Sequence, residues 1–148
     1  MLNTLLTPDV INIHSSAKDW KHAVALACQP LLDNGSIEAS YVDAIYKSHA
    51  DLGPYYVVGP RIAMPHARPE DGVNRLSMSL TVLKEGVNFN ADDNDPVYLL
   101  ITLAATDSNS HVDAIANLAE LFMNDEDVSA ICNAQDSAEI SAIIDKYQ

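Results

Sequence analysis

The period of the apolar positions changes several times along this chain, and each change marks an element. From residue 20 to 32 the side chains Trp20, Val24, Ala27, Leu31 and Leu32 recur at near-helical spacing. This predicts a helix through Asp33, stopped by Asn34 and Gly35, with Ser16 and Asp19 as its capping box. A second helix is predicted over 37–51, capped by Ser36 and ended by Gly53 and Pro54, with Tyr41, Ile45 and Leu52 on its apolar side. Residues 77–83 alternate Met78, Leu80 and Val82 against Ser77, Ser79 and Thr81, the pattern of a strand with one buried face. Residues 97–105 are apolar except at Thr102, which suits a central strand buried on both faces.

Shorter extended pieces are predicted at 10–13, 55–58 and 62–64, and 87–89 extends or follows the alternating strand. Residues 92–96 form an acidic turn. Ser110 with Asp113 starts a capped helix to Met123, with Val112, Ile115, Leu118, Ala119 and Phe122 on one side. A short helix is predicted near 127–132. A last one is opened by Asp136 and Glu139, buried through Ile140, Ile143 and Ile144, and ends near Tyr147. Strands and helices alternate without repeat or linker, so the fold class is α/β or α+β: a single domain with a mixed central sheet flanked by helices.

Composition narrows the partners. With 8 basic against 21 acidic residues the net charge is −13, which argues against nucleic acid, whose binding rests on Lys and Arg meeting phosphate. It also disfavours anionic membranes and fits either a basic partner or a merely solubilising surface. The longest apolar run is too short to span a bilayer. The N-terminus lacks the basic region and apolar core of a signal peptide. Cys28 and Cys132 form no CxxC pattern and read as small hydrophobes in a reducing compartment, so a cytoplasmic location is expected.

Candidate chemistry concentrates in GPRIAMPHARPEDG, residues 59–72. Pro60, Pro65 and Pro69, with Pro54 just before, exclude a helix interior and push the preceding residues toward extended backbone. A stiff loop holding His66 with Arg68 two residues on suits a histidine that fixes an anion; a rigid structural turn is the plainer alternative. His111 follows the strongest strand at the first turn of a helix, where free N–H groups favour anions, so His66 and His111 are expected to face one anionic group. His14 and His22 are expected at the surface, and His49 solvated beside Lys47 and Asp51. No HExxH or paired cysteines are present, and residues 92–95 lack the ligand spacing of a calcium loop, so neither metal nor cofactor is expected. There is no GxSxG elbow and no phosphate-binding glycine loop, which leaves histidine itself as the nucleophile toward a phosphoryl donor.

These residues resemble a known family. IAMPHA, residues 62–67, is similar to the phosphorylation motif of the mannitol/fructose-type (type 2) enzyme IIA domains of the bacterial sugar phosphotransferase system. GPYYVVGPRIAMPHARPEDGV and DNDPVYLLITLAATDSNSH resemble the ascorbate-specific subgroup most, with the cryptic mannitol type almost as similar. The resemblance implies a mannitol-type IIA fold over the chain and a phosphoryl relay without cofactor. His66 would take a phosphoryl group from phospho-HPr on Nε2 and pass it to a cysteine of a IIB protein or domain, with the membrane IIC component acting indirectly. His111 would hydrogen-bond the phosphoryl oxygens. The mannitol branch holds the phosphate with an arginine before the motif; here that stretch reads Lys47, Ser48, His49, Ala50, so Arg68, or else Arg61, takes that role by spacing. Ascorbate is the implied sugar; a mannitol/fructose-type carrier, a regulatory IIA-like phosphoprotein and a non-covalent anion-binding module are the alternatives. Ala63, Met64, Tyr55 and Tyr56 are candidates for an apolar docking rim, with core packing the competing role for Ala63 and Tyr56.

Overall fold

The strand at residues 97–104 lies in the middle of everything else. In the computed structural model, which describes residues 2–107, 109 and 111–147, five strands form one mixed sheet. They are β1 (Ile11–His14), β2 (Val57–Gly59), β3 (Ile62–Ala63), β4 (Ser77–Val87) and β5 (Val97–Ala104), in the order β1-β4-β5-β3-β2. β5 runs antiparallel to β4, with Leu80 opposite Ile101, and parallel to β3, with Ile62 opposite Leu99. β1 is parallel to β4, and β2 is antiparallel to β3. The helices are α1 (Leu2–Leu5), α2 (Trp20–Asp33), α3 (Ala39–Leu52), α4 (Val112–Phe122), α5 (Asp125–Cys132) and α6 (Ser137–Ile144).

The alternating strand is buried on both faces over residues 77–83, not on one as predicted. Its polar side chains are covered by α2, where the Ser79 hydroxyl donates to the Ala27 carbonyl at 2.5 Å. On the opposite face of the pleat, Lys84 donates to the carbonyl of Cys132 at 3.2 Å, closing the end of α5. Alternation reports two chemically different sides, and here both sides carry helices.

Caps moved several predicted boundaries. Asp19 is itself the N-cap of α2, accepting from the His22 N–H at 2.9 Å, so Ser16 has no capping part. The Ser36 hydroxyl is turned to Asn34 Oδ1 at 2.6 Å, so it does not cap and α3 begins only at Ala39. Leu52 closes α3 with 74% of its surface exposed, off the buried side where the pattern put it. Residues 55–56 belong to a turn, in which the Val57 N–H reaches the Pro54 carbonyl, so β2 starts at Val57. Asn124 caps α5 earlier than predicted, and Asp136 caps α6 as predicted. The predicted cap Ser110 lies outside the described residues. α4 buries Ala114, Asn117, Leu118 and Leu121; of the five residues predicted to share one side, Leu118 is buried and Phe122 half-buried, while Val112, Ile115 and Ala119 are exposed. Cys28 is fully buried, and burial pushes its thiol up to about 12, so it packs as a neutral hydrophobe. Both cysteines are free.

Candidate functional site

The loop after β3 is held to the fold at each residue from 64 to 67. The Met64 N–H donates to the Tyr56 carbonyl at 2.8 Å, and the Pro65 carbonyl accepts from the Leu103 N–H at 3.0 Å, extending the β3–β5 ladder one step into the loop. The Tyr55 hydroxyl donates to the His66 carbonyl, and its ring meets the imidazole edge-on at 5.3 Å. The Ala67 N–H donates to the Tyr41 hydroxyl at 2.9 Å, and that hydroxyl donates to the Leu103 carbonyl at 2.6 Å. Tyr41 is fully buried, so this one oxygen ties α3, the loop and β5 together. Burial raises the Tyr41 and Tyr55 phenols, so both stay neutral donors.

This scaffold sets the protonation pattern of His66. Its Nδ1 lies 2.7 Å from the Met64 carbonyl oxygen. A carbonyl only accepts, so Nδ1 carries the proton and, in the neutral ring, Nε2 carries the lone pair. His66 and His111 line one cavity of about 190 Å³ with Tyr41, Ala67, Leu103 and Asp107. The sequence expectation that two strand-to-loop junctions bring these histidines together is met: one follows β3, the other precedes α4. His111 Nδ1 is buried without a hydrogen-bond partner among the described residues, leaving that nitrogen free for a ligand.

A second groove, about 510 Å³, opens on the other side of His66 between Lys47, Ser48, Tyr55, Arg68 and Asp71. Arg68 is here, with its side chain 74% exposed, and its guanidinium is engaged by Asp71: Nη2 to Oδ1 at 3.1 Å and Nε to Oδ2 at 3.3 Å. Hydrogen bonds from the Arg68 side chain and N–H hold the Asp71 carboxyl below the ordinary carboxylate range. Arg61 sits at the other end of the sheet. Its carbonyl accepts from the N–H of Leu99, whereas the His66 loop joins at Leu103. Four strand residues separate those points, roughly 13 Å along β5.

His49 departs from expectation. It is 4% exposed, stacked on Trp20 at 3.7 Å, with Nδ1 2.6 Å from the Tyr56 hydroxyl. Burial lowers its pKa. The signal was present: Tyr41, Ile45 and His49 recur every four residues on one helix face. His14 and His22 are half-buried, not fully at the surface. Ala63 and Tyr56 are fully buried core residues, which leaves the rim to Tyr55, 39% exposed, and the half-buried Met64. Asp107 and Tyr41 were not singled out as site residues, because neither stands in the histidine motif. Among the described residues no group of three or more histidine, cysteine or acidic side chains is placed to hold a metal.

Residues 4–147 match the family model for the phosphoenolpyruvate-dependent sugar phosphotransferase system, EIIA 2. The chain belongs to this family. As a type 2 EIIA it is a phosphotransferase component, a phosphocarrier serving sugar uptake. It is 41% identical over 136 residues to the mannitol-specific cryptic phosphotransferase enzyme IIA component of Escherichia coli K12, covering 92% of each chain. It is 37% identical over 137 residues to the ascorbate-specific PTS system EIIA component of the same strain, covering 92% of this chain and 89% of that one. The solution structure of the cryptic mannitol IIA matches this EIIA with a TM-score of 0.89 at 39% identity, over 98% of both chains. The IIA of the Escherichia coli mannitol IIA–phosphorylated IIB complex shares the fold, with a TM-score of 0.81 at 24% identity. The expected mannitol-type IIA fold is thus the fold of this chain. Among the described residues no helix is long and apolar enough to cross a membrane.

Proposed function

We propose that this EIIA carries its phosphoryl group on Nε2 of His66. The observation that carries the reading is the 2.7 Å contact of His66 Nδ1 with the Met64 carbonyl, which leaves Nε2 as the nucleophilic nitrogen before any donor arrives. Nε2 attacks the phosphorus of phospho-HPr; the Nε2–P bond forms as the bond to the donor breaks. The thiolate of a IIB cysteine then attacks the same phosphorus, the Nε2–P bond breaks, and neutral His66 is regenerated. Such transfers need positioning and charge stabilisation more than covalent help from the protein. His111 donates to the phosphoryl oxygens across the shared cavity. Arg68 meets them from the groove side once its guanidinium leaves Asp71. The IIB partner delivers the group for sugar passing through a membrane IIC component, and the carrier works in the cytoplasm. Ascorbate is the sugar favoured by the motif stretches, with a mannitol-type sugar the alternative; relatives of both kinds are similar to the chain.

Intact-mass spectrometry after incubation with phosphoenolpyruvate, enzyme I and HPr tests this. The wild type gains one acid-labile phosphoryl group and His66→Ala gains none while keeping its fold. Equal uptake by the variant, or none by the wild type beside phosphorylated HPr, overturns it.

A further inference from the structure

The imidazole of His66 hangs from a Cα whose two flanking peptides are both held. The peptide before it offers the Pro65 carbonyl to the Leu103 N–H at 3.0 Å. The peptide after it is gripped at both ends. Its N–H, from Ala67, donates to the Tyr41 hydroxyl at 2.9 Å, and its carbonyl, from His66, accepts from the Tyr55 hydroxyl. The N–H and C=O of one trans peptide point opposite ways, so two tyrosines fix a single plane from its two sides. With Nδ1 on the Met64 carbonyl as well, the ring keeps little torsional freedom.

The two tyrosines are not equivalent. Tyr41 is fully buried and its hydroxyl also donates to the Leu103 carbonyl at 2.6 Å, so it stabilises the fold as much as the loop. Tyr55 is 39% exposed, beside the groove that Lys47, Ser48 and Arg68 line. Water replaces a hydrogen bond at such a position with little cost to folding. The Tyr55 hydroxyl nonetheless meets the one carbonyl that belongs to His66, while its ring stands at 80° to the imidazole with centroids 5.3 Å apart. The Ser48 side chain, on α3, bonds to the same phenol. One side chain therefore bears on both the backbone and the ring of His66 while adding little to stability. What it supplies is geometry, and in-line attack depends on geometry: a misplacement of about 1 Å can cost about a hundredfold in rate.

We propose that Tyr55 is a positioning residue for phosphoryl transfer, its hydroxyl and ring holding His66 in the one orientation from which Nε2 attacks. This rests on the reading of His66 as the phosphorylated residue. The test compares wild type and Tyr55→Phe, which keeps the ring and loses the hydroxyl, as acceptors from phospho-HPr and separately from phosphoramidate, a small donor that needs no docking. The expected result is a maximal rate from phospho-HPr lowered about tenfold, the worth of roughly one hydrogen bond, at an unchanged KM. Phosphoramidate labelling slows by the same factor, and the melting temperature stays at the wild-type value. The imidazole 15N resonances of neutral His66, well separated in the wild type where Nδ1 alone holds the proton, draw together in the variant as the ring samples both tautomers. Unchanged rates with both donors overturn the assignment and leave the His66 reading standing. So does a raised KM for phospho-HPr with phosphoramidate labelling unchanged, since Tyr55 is then a contact with the donor protein. Slowed transfer with an unaltered 15N pattern overturns it too, because the hydroxyl then acts elsewhere than on His66. A wild type labelled by neither donor overturns the His66 reading, and the role of Tyr55 with it.

Discussion

His49 shows what a single buried imidazole does to the acid stability of this protein. Trp20 stacks on one side, Phe89 on another, and the Tyr56 hydroxyl meets Nδ1. Its folded-state pKa is lowered below the ordinary 6.5, because burial opposes the charged form. As pH falls the unfolded chain therefore takes up this proton first, so stability is whole above 6.5 and is lost as pH drops from there toward the folded value. Urea midpoints measured from about pH 7.5 to about pH 5.5 should fall for the wild type, and more shallowly for His49→Phe. The variant is weaker at every pH, since the Tyr56 hydroxyl loses a partner at a cost of about 1–3 kcal/mol. Parallel pH profiles for the two proteins would remove His49 as the cause. At this scale His66 and His111 were legible, one from its proline-bound motif and one from its position after a strong strand. Tyr41 was legible only as a core residue. That its hydroxyl joins Ala67 to Leu103 depends on a contact 62 residues away in the chain, which no local pattern encodes.

At the scale of elements, the turn after the motif is set by one glycine. Residues 69–71 make a short 3-10 turn closed by Arg68 and Asp71, and Gly72 follows at φ +137°. Its carbonyl accepts from the Glu38 N–H at 2.8 Å, which seats the turn on the start of α3. A Cβ there would lie 2.6 Å from Ser40 Oγ and 3.1 Å from the Tyr41 nitrogen. Gly72→Ala should therefore destabilise by about 1–3 kcal/mol, from backbone conformation alone, before any steric cost. Chemical unfolding with an unchanged m-value would show it; a loss below 0.5 kcal/mol, roughly the scatter of surface substitutions, would mean that the turn relaxes freely. Most elements were legible because period and length agree. Cap positions were less so, since Asp19, Ser16, Ser36 and Glu38 are all plausible neighbours of a helix start and only the folded backbone selects among them. α4 was read correctly as amphipathic and incorrectly in phase, because a helix with two apolar faces offers two answers to one pattern.

For the whole molecule, charge governs encounters. A net charge of −13 favours long-range encounter with a basic molecule over encounter with a second copy of the chain. The second-order rate of phosphoryl uptake from phospho-HPr should fall severalfold between about 50 and 500 mM salt, while labelling by phosphoramidate changes little. A salt-independent rate for both donors would assign docking to apolar contact without steering. Class and layering were legible from alternating helices and strands. The strand order was not, because periodicity says which face of a strand is buried and nothing about which neighbour it takes.

That order sets how the sheet meets other molecules. Its long members, β4 and β5, of 11 and 8 residues, are both interior, while the two borders are β1 with 4 residues and β2 with 3. The two outermost strands of the sheet are thus too short to template another chain. Borders this short disfavour edge-to-edge pairing, which leaves contact with other proteins to side chains, which discriminate, instead of to backbone, which does not.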